Sequence, residues 1–448
     1  VGAWANRQHL RRTQKQVQKW LQRSTPREVD AEIYANYIVN GGIPEITVVI
    51  DHRNNPDNYL ADTLDSLSTQ LYQATSVIIV SNTPAPEVFE INDLLKWIDV
   101  RSDTSMALEI TTSWVLAIES GTKLLPQAII ESSLATQTWP NAVMYYADEI
   151  QSSGGEFNQV PAFKPDTNLQ WLRCNNYLGP FLLIETATWK SHGYPLFDGS
   201  LYGSALGIVQ IAGSDALGHI DTVLYESQHS HKANTNQNEQ LIAETLIRET
   251  NPNATLSSIS RDIWEVRLTP TQKHTVSIVI PTGQQTGFLR CLLQSIEKYK
   301  HSSIHEVILV TDIKHKEEVL RACRNINLNF VIETYSLDQL YNHSHALNLG
   351  VNKATGDIVL FCDDDTEIIH SDWLDPILGL LEESNCGAVA PRLMVADDKN
   401  GTINGGPVIL GIHGTALTYT GEMGGLYESG ALGRLQVNLN VSAVLGSF

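Results

Sequence analysis

Two stretches of the chain repeat one order of apolar and polar positions. Each begins with a short β-branched run, "ITVVI" at residues 46–50 and "VSIVIP" at residues 276–281. A polar turn, a helix-like segment and a second β run follow in both, as "NYLADTLDSLSTQLYQ" with "SVIIVSN" and as "FLRCLLQSIEKY" with "EVILVTD". Nearly continuous apolar runs are typical of strands buried on both faces of a parallel sheet. The pattern therefore predicts an α/β fold with two doubly wound, nucleotide-binding sheets, about 230 residues apart.

The second half continues in the same order. "HALNLGVNKATGD" predicts a helix that ends near Gly356, and "IVLFC" predicts a strand. "SDWLDPILGLLEES" predicts a further helix with Ser371 as its N-cap. Between the halves, a polar stretch around "NEQLIAETLIRET" predicts a helix and a strand-like segment. The predicted division is an N-terminal helical segment, a first α/β domain, a linker and a second α/β domain, at residues 1–43, 44–232, 233–275 and 276–448.

Composition and charge exclude several classes of protein. Hydrophobic residues make up 42% of the chain and charged residues 18%, which is typical of a globular protein, and no apolar stretch is long enough to cross a bilayer. A net charge of −20 argues against nucleic acid as a partner, because phosphate backbones bind basic surfaces. The five cysteines are scattered, which predicts free, buried thiols in a reducing compartment. Since no signal-peptide pattern is present, we expect a cytoplasmic location.

The N-terminal segment departs from this acidic balance. "WANRQHLRRTQKQVQKWLQRS" carries six Lys and Arg residues and no acidic residue, and its lack of Gly and Pro predicts a helix. We interpret it as a solvated helix packed on the acidic remainder of the protein. The alternative is a docking helix for a partner subunit or for anionic lipid at the inner face of the membrane.

Three adjacent carboxylates, Asp363, Asp364 and Asp365, directly follow the predicted strand "IVLFC". Ligands of open α/β sheets bind at the carboxyl ends of the strands. Because like charges this close disfavour one another's ionised forms, something must compensate for them. A divalent cation prefers hard oxygen ligands, and beside a diphosphate it neutralises the charge of the leaving group. The position predicts a metal-assisted site for a phosphorylated ligand.

In this context the sequence resembles the family 2 glycosyltransferases of the GT-A fold, and in particular bacterial members with two domains. The motifs that carry the resemblance are "VSIVIPT", "NHSHALNLGVNKATGDIVLFCDDDTEII", "DWLDPILGLLE", "CGAVAPRLM" and "INGGPVILGIHG". The resemblance implies two tandem GT-A domains. It also implies transfer of a sugar from a nucleotide-diphosphate donor, with Mg²⁺ or Mn²⁺, to a glycan or lipid-linked acceptor in cell-surface polysaccharide synthesis.

The resemblance assigns the three carboxylates to metal and donor. Asp365 would hold the metal ion together with Asp363. Asp363 and Asp364 would contact the ribose and the metal-bound groups of the donor.

The resemblance also implies a set of residues around the nucleotide. Pro281 and Thr282 would line the nucleobase pocket, and Asn348 would face the donor. The family's base-reading Asp usually follows the second strand directly. This chain has Thr311 at that position, and Asp312, one residue later, is our candidate for the contact.

The catalytic base of the family lies in an acidic pair that follows a "G-[SA]-[CF]" strand. This chain ends on "LGSF" at Phe448. We therefore expect the base to lie beyond Phe448 and the second domain to be incomplete, and we assign no catalytic residue.

The first half resembles the same family through "YYADEIQSSGG", "PAFKPD" and "NNYLG". Residues 119–122, "ESGT", replace the Asp-rich metal motif, and Leu206 and Ile208 stand where the acidic base pair is expected. We therefore expect a degenerate domain without a metal ion. Asp148 and Glu149 are interpreted as hydrogen-bonded framework, with a residual site as the alternative.

Two other functions remain as alternatives. In a haloacid-dehalogenase-like phosphatase the strand ends in D-x-D-x-[TV], but here that register puts Glu367 at the last position. The second alternative is a non-catalytic pseudo-glycosyltransferase, acting as a scaffold or as a sugar-binding module, and the degenerate first half favours it.

Overall fold

A computed structural model of the chain gives two compact units. The first unit takes in the described residues of Val1–Leu246, Ser258–Trp264 and Ala431–Asn438, and the second unit those of Ile247–Ser257, Glu265–Gly430 and Leu439–Phe448. The structure describes residues 15–17, 19–20, 26, 28–53, 57–87, 91–101, 110–152, 159–191, 201–228, 235–260, 262–336, 341–395, 403–405, 408–410, 416–418 and 433–444. The domain boundaries predicted from the sequence stay predictions.

The helices of the described residues are short to medium in length. They are α1 (Glu28–Asn40), α2 (Asp57–Ser68), α3 (Ala128–Thr138), α4 (Leu169–Cys174), α5 (Thr186–Ser191), α6 (Leu201–Ala212), α7 (Thr235–Thr250), α8 (Thr286–Lys298), α9 (Lys316–Ala322), α10 (His343–Val351) and α11 (Asp375–Leu381). Ser214–Ala216 and Ile313–His315 are 3₁₀-helices.

The strands alternate with these helices in both units. Those before the second unit's sheet are β1 (Ile46–Asp51), β2 (Ser76–Ser81), β3 (Leu95–Asp99), β4 (Trp114–Glu119), β5 (Lys123–Leu124), β6 (Met144–Ser152), β7 (Gln159–Ala162), β8 (Phe181–Glu185), β9 (Leu217–Gln228), β10 (Thr255–Ser260) and β11 (Ile263–Arg267). Those that follow are β12 (Val276–Pro281), β13 (Ile304–Asp312), β14 (Phe330–Tyr335), β15 (Ile358–Phe361), β16 (Leu393–Met394), β17 (Ile403–Gly405), β18 (Val408–Leu410) and β19 (Ala416–Thr418).

The first unit is built on a nine-stranded mixed sheet. Its strand order is β3-β2-β1-β4-β8-β6-β9-β5, and β7 pairs with β6. Strands β3, β2, β1 and β4 are parallel, whereas β8 runs antiparallel to both β4 and β6. The apolar sides of β1 and β4 pack with Leu60 and Leu67 of α2 in the core.

The second unit is built on a four-stranded parallel sheet, in the order β14-β13-β12-β15. This order, in which the first strand lies between the second and the fourth, is the same as that of the four parallel strands of the first unit. Short antiparallel pairs, β16 with β17 and β18 with β19, follow it along the chain. The α/β prediction is confirmed for both halves, while the interpretation as tandem GT-A domains stays a prediction.

Strand β12 is buried on both faces, which explains why all of its residues except Ser277 are apolar. Ile278 and Ile280 pack in one cluster with Leu292 of α8. Val279, on the opposite face of the strand, packs in a second cluster with Ala346 of α10. Because side chains alternate along a strand, one short apolar run supplies both layers of core.

Two helices of the second unit differ from their prediction. α10 ends at Val351 and not near Gly356, because the chain beyond it is drawn to the sheet: the Thr355 N–H donates to the buried Glu306 at 2.8 Å, and the Gly356 N–H donates to Ser277 Oγ at 2.9 Å. Ser371 is not an N-cap, and α11 begins only at Asp375.

The late start of α11 follows from Pro376, which lies in the first turn of the helix. Proline is tolerated there because the N–H that it lacks needs no intrahelical partner. A helix capped by Ser371 would have placed the proline in its second turn, where the N–H is required.

The first-half helix is also shorter than predicted. α2 ends at Ser68, and the chain then turns to meet a loop: the Gln70 side chain donates to the Leu125 carbonyl at 2.8 Å, and the Leu71 N–H donates to the Pro126 carbonyl at 2.8 Å. Side-chain hydrogen bonds of this kind compete with helix continuation.

Three further expectations concern surface and compartment. Lys15–Val17 and Lys19–Trp20 of the basic segment are helical, and the Trp20 ring meets Phe163 edge to face at 5.4 Å; the rest of that segment lies outside the described residues. All five cysteines are free, but only Cys174 and Cys362 are buried, so the expectation of five buried thiols is wrong. Among the helices that the structure describes, none has the length and apolarity needed to cross a membrane.

Gly350 of α10 allows this helix to approach β12. A Cβ atom at Gly350 would lie 2.3 Å from Val279 Cγ1, whereas a Cβ at Gly287 of α8 meets nothing within 4 Å. We expect Gly350→Ala to destabilise the second unit by about 1–3 kcal/mol through overpacking. Gly287→Ala should stabilise it by about 0.4–1 kcal/mol. Urea-dependent hydrogen exchange of peptides from α10 and β12 measures both effects, and equal behaviour of the two variants would contradict the packing.

Glu382, just after α11, ties the segment before β12 to that helix. Its carboxylate accepts from the Thr271 N–H at 2.8 Å and the Gln272 N–H at 3.0 Å, and His274 Nε2 lies at 2.7 Å. Burial alone would raise the pKa of Glu382, but these hydrogen bonds outweigh it and lower the pKa to about 2.

The lowered pKa of Glu382 makes the stability of this junction depend on pH. Because the ionised form is favoured in the folded state, its contribution is complete above the usual pKa of 4.5 and is lost as the pH falls toward about 2. We expect Glu382→Gln to lower the free energy of unfolding by about 1–3 kcal/mol at neutral pH. The difference from the unchanged chain should vanish near pH 2 in thermal unfolding, while Glu367→Gln, an exposed carboxylate, should change little at any pH. If Glu382→Gln lowered the free energy of unfolding equally at every pH, the loss could not come from the ionised carboxylate.

Candidate functional site

The three carboxylates lie in a tight turn at the carboxyl end of β15. Thr366 holds the turn: its N–H and its hydroxyl both donate to the Asp363 carbonyl, at 3.3 and 2.8 Å, and its Oγ1 lies 2.9 Å from Cys362 Sγ. The Asp365 side chain is exposed, and that of Asp363 is one third exposed, at 33%. The turn therefore presents both carboxylates to a ligand.

Asp364 is bound to the end of the neighbouring strand. The Thr282 hydroxyl donates to Asp364 Oδ2 at 2.8 Å, and Thr282 follows directly on Pro281, the last residue of β12. Burial raises the pKa of the Asp364 carboxyl; the Thr282 hydrogen bond opposes this shift, and the charge of Asp365 adds to it. The structure thus brings together three of the residues that the sequence singled out, Pro281, Thr282 and Asp364.

Asp312 ends β13 on the same edge of the sheet. Its side chain accepts from the Lys314 N–H at 2.9 Å and caps the 3₁₀-helix that follows, and the residue is only 4% exposed. Thr311 is fully buried, and its hydroxyl makes no hydrogen bond within the described residues. One role of Asp312 is therefore local capping, and its contact with a nucleobase stays a prediction.

Asn348 lies on the exposed side of α10. No hydrogen bond of the described residues joins its side chain to the three carboxylates. Its role at the donor also stays a prediction.

Tyr341 and His343 lie beside the carboxylates, and sequence reasoning assigned neither to the site. His343 Nε2 is 4.0 Å from Asp363 Oδ1, and Tyr341 Oη is 3.2 Å from His343 Nδ1. Burial raises the pKa of Tyr341, and the charges of Asp363 and Asp364 raise it further. Topology was the available signal, because a helix that follows a parallel strand starts at the edge where that strand ends.

Within the residues that the structure describes, no three His, Cys, Asp or Glu side chains converge as a ready metal site. Mg²⁺ in nucleotide-dependent enzymes usually takes only one or two carboxylates from the protein, and phosphate oxygens and water complete its shell. The two accessible carboxylates of Asp363 and Asp365 fit that kind of site, because both supply the hard oxygen donors that such an ion prefers.

The first unit has a counterpart of this edge. In β1 and β4, Val49 pairs with Ala117, as Val279 pairs with Phe361 in β12 and β15. Counting on from these pairs, residues 119–121 correspond to the three carboxylates of residues 363–365. The same register places His52 at the position of Thr282 and Ser120 at the position of Asp364. These two residues are also in contact, because His52 Nδ1 lies 2.9 Å from Ser120 Oγ, as Thr282 is bonded to Asp364.

Two features make this counterpart different in chemistry. Gly121, in the place of Asp365, has no side chain and a φ of 96°. Arg53, in the place of Gly283, forms a bidentate ion pair with Asp51, through bonds of 2.9 and 2.7 Å. The edge keeps one carboxylate of the three, that of Glu119, whose register partner in β1 is Asp51, the residue that Arg53 binds.

Asp148 and Glu149 of β6 are buried and hydrogen-bonded. Asp148 Oδ1 accepts from the Lys164 N–H at 2.8 Å and lies 3.0 Å from His219 Nε2. Glu149 Oε2 accepts from the Ser227 hydroxyl at 2.7 Å. These contacts agree with the interpretation of the two acids as framework.

Comparison with known families finds one match within the second half. Residues 277–437 match the family model described as glycosyl transferase family 2. The match begins in β12 and includes the carboxylates and Thr282, while residues 1–276 lie outside it.

Two curated proteins are similar over most of the chain. The O-antigen biosynthesis protein RfbC of Myxococcus xanthus is 23% identical over 401 residues, which are 83% of this chain and 31% of that protein. An uncharacterised protein of Sinorhizobium fredii is 26% identical over 439 residues, which are 90% of this chain and 47% of that protein. The chain therefore spans less than half the length of each of these curated relatives, 31% and 47%.

Among solved structures, the mannosyltransferase PcManGT of Pyrobaculum calidifontis, in complex with GDP-Man and Mn²⁺, is 23% identical with a TM-score of 0.23, over 26% of this chain and 34% of that one. S. aureus TarS in complex with UDP is 13% identical with a TM-score of 0.34, over 46% of this chain and 65% of that one. Both scores are too low to support a conclusion about this chain.

The bond between Thr282 and Asp364 yields a direct test of the site's electrostatics. Because the hydroxyl stabilises the ionised carboxylate, we expect Thr282→Val to raise the pKa of Asp364 further, and Thr282→Ser, which keeps the hydroxyl, to leave it nearly unchanged. A ¹³C NMR titration of labelled aspartate side chains measures the shift. The geometry would be contradicted if the two variants titrated alike.

Proposed function

We propose that the second unit is a glycosyltransferase domain of the GT-A type, which transfers a sugar from a nucleotide-diphosphate donor. The observation that carries the proposal is the turn of Asp363, Asp364 and Asp365 at the carboxyl end of β15, bonded to Thr282 at the end of β12. This is the edge at which open α/β sheets bind nucleotides. The family match over residues 277–437 supports it.

Asp363 and Asp365 are the residues that would hold a divalent cation, Mg²⁺ or Mn²⁺. Such an ion, when bound beside a diphosphate, neutralises the charge that develops on the leaving group. Without a cation, the carboxylates would repel the phosphates of the donor, so donor binding should depend on the metal.

Asp364 has a positioning role in this proposal. Its bond to Thr282 joins the carboxylate turn to the end of β12 and fixes one wall of the nucleoside site. Pro281, buried at the end of that strand, would lie against the base, with Asp312 and Asn348 as further donor contacts.

The acceptor is proposed to be a glycan or a lipid-linked glycan, in the synthesis of a cell-surface polysaccharide. The name of the M. xanthus relative, an O-antigen biosynthesis protein, supports this class of product. No described residue is assigned as the general base that takes the proton of the acceptor hydroxyl. The cytoplasmic location is part of the same proposal. For the basic N-terminal segment, a contact with a membrane or a subunit is the alternative to packing on the acidic remainder of the protein.

For the first unit we propose a scaffold without a metal ion. Gly121 and Ser120 stand in the places of Asp365 and Asp364. On the neighbouring strand β1, Asp51 forms an ion pair with Arg53. A non-catalytic role for the whole chain, as a pseudo-glycosyltransferase that binds sugar, is the second candidate that these replacements favour. Hydrolysis of a sugar nucleotide by the full chain would exclude it.

Substitution of Asp365 tests the proposed metal site. We expect Asp365→Ala to lower the Mn²⁺-dependent affinity for the matching nucleoside diphosphate by roughly ten- to a hundredfold. Titration calorimetry with UDP, GDP and dTDP, each with Mn²⁺ and with EDTA, provides the measurement. Glu367→Ala removes an exposed carboxylate two residues away and should bind as the unchanged chain does. Equal affinities for Asp365→Ala and the unchanged chain would show that the assignment is wrong.

A further inference from the structure

The carboxylate turn needs a hydrogen-bond donor as well as a cation if a diphosphate is to bind beside it. A nucleoside diphosphate brings further negative charge to Asp363, Asp364 and Asp365. The stretch from Tyr341 to Asp372 contains no Arg and a single Lys, and that residue, Lys353, pairs with Glu333 at 3.4 Å. Histidine is therefore the basic residue that this stretch brings to the turn.

His343 is placed to supply that donor. It is the first residue of α10, and its Nε2 lies 4.0 Å from Asp363 Oδ1, beyond the length of a hydrogen bond. The imidazole is 45% exposed, so a ligand bound at the carboxylates can reach it. The Asn342 side chain caps the same helix by accepting from the His345 N–H at 3.0 Å, which fixes the backbone on which His343 stands.

Tyr341 is placed to determine which nitrogen of His343 carries the hydrogen. Its Oη lies 3.2 Å from His343 Nδ1, and a phenol is protonated at neutral pH. A phenol that donates to Nδ1 makes that atom the acceptor. The hydrogen of the neutral imidazole then lies on Nε2, the nitrogen nearer to Asp363.

We propose that His343, held in its Nε2–H form by Tyr341, donates a hydrogen bond to the diphosphate of the nucleotide donor. The proposal rests on the proposed function of the carboxylate turn. In it, His343 is a donor-binding residue and Tyr341 is a positioning residue that acts through the imidazole. The hydrogen bond is charge-assisted, because its acceptor is a phosphate oxygen. It favours a diphosphate over a monophosphate, since the imidazole lies beside the carboxylates that would bind the metal.

The first test compares nucleotide affinities in the full chain. Calorimetry with Mn²⁺ is run on UDP, GDP and dTDP, and then on the monophosphate of whichever diphosphate binds. We expect His343→Ala to weaken diphosphate binding by roughly ten- to a hundredfold and monophosphate binding by much less. His343→Gln, which keeps an N–H donor, should recover part of the loss. His345→Ala, an exposed histidine two residues along the same helix, is the matched control and should bind as the unchanged chain does.

The second test identifies the tautomer of His343 and does not depend on nucleotide affinity. ¹⁵N NMR of labelled histidine should show His343 as the Nε2–H form in the unchanged chain, and Tyr341→Phe should convert it to a mixture of the two forms. A predominant Nδ1–H form in the unchanged chain would overturn the role of Tyr341.

The outcomes separate this inference from the proposed function. If a diphosphate binds with Mn²⁺ but His343→Ala changes neither its affinity nor the preference over the monophosphate, the inference is wrong and the proposed function stands. If none of the three diphosphates binds to the unchanged chain, both are wrong.

Discussion

Parallel pairing of β12 with two neighbours is the constraint on which the second unit depends. Because β13 and β15 run in the same direction as β12, the carboxyl ends of all three strands meet at one edge. That edge collects Thr282, Asp312 and the carboxylate turn from segments far apart in sequence. The core supports this arrangement, because α8 packs on one apolar face of β12 and α10 packs on the other. Only the carboxyl end of the strand is then left for polar residues.

Much of this arrangement could be predicted from the sequence. The β runs at residues 46–50 and 276–281 are strands as predicted. A short β-branched run bounded by polar turns favours a strand over a helix. The position of the three carboxylates at a strand end followed from the same pattern. The helix ends did not follow, because they depend on partners distant in the chain, such as Glu306 for Thr355 and the loop at Leu125 for Gln70.

The contacts within the site were the part that sequence could not supply. The bond between Thr282 and Asp364 joins residues 82 positions apart, and only the register of β12 with β15 makes it visible. Tyr341 and His343 stand in a polar stretch that resembles an ordinary helix start. Their distance from Asp363 depends on where α10 begins relative to the sheet, and the local sequence does not predict that position. For Asp312 the sequence suggested a ligand contact from its position at the end of β13, but it did not predict that the side chain caps the 3₁₀-helix that follows.

The φ of 96° at Gly121 makes a carboxylate turn like that of the second unit hard to build in the first unit. An aspartate placed there would be strained, because L residues with a side chain rarely adopt that region of backbone conformation. Ser120 would also have to change while its partner is His52, and Arg53 would still pair with Asp51. Each of these changes alone would cost stability and would not complete a metal site. In evolutionary terms such a turn requires several coupled substitutions, a route that selection acting on single substitutions does not favour.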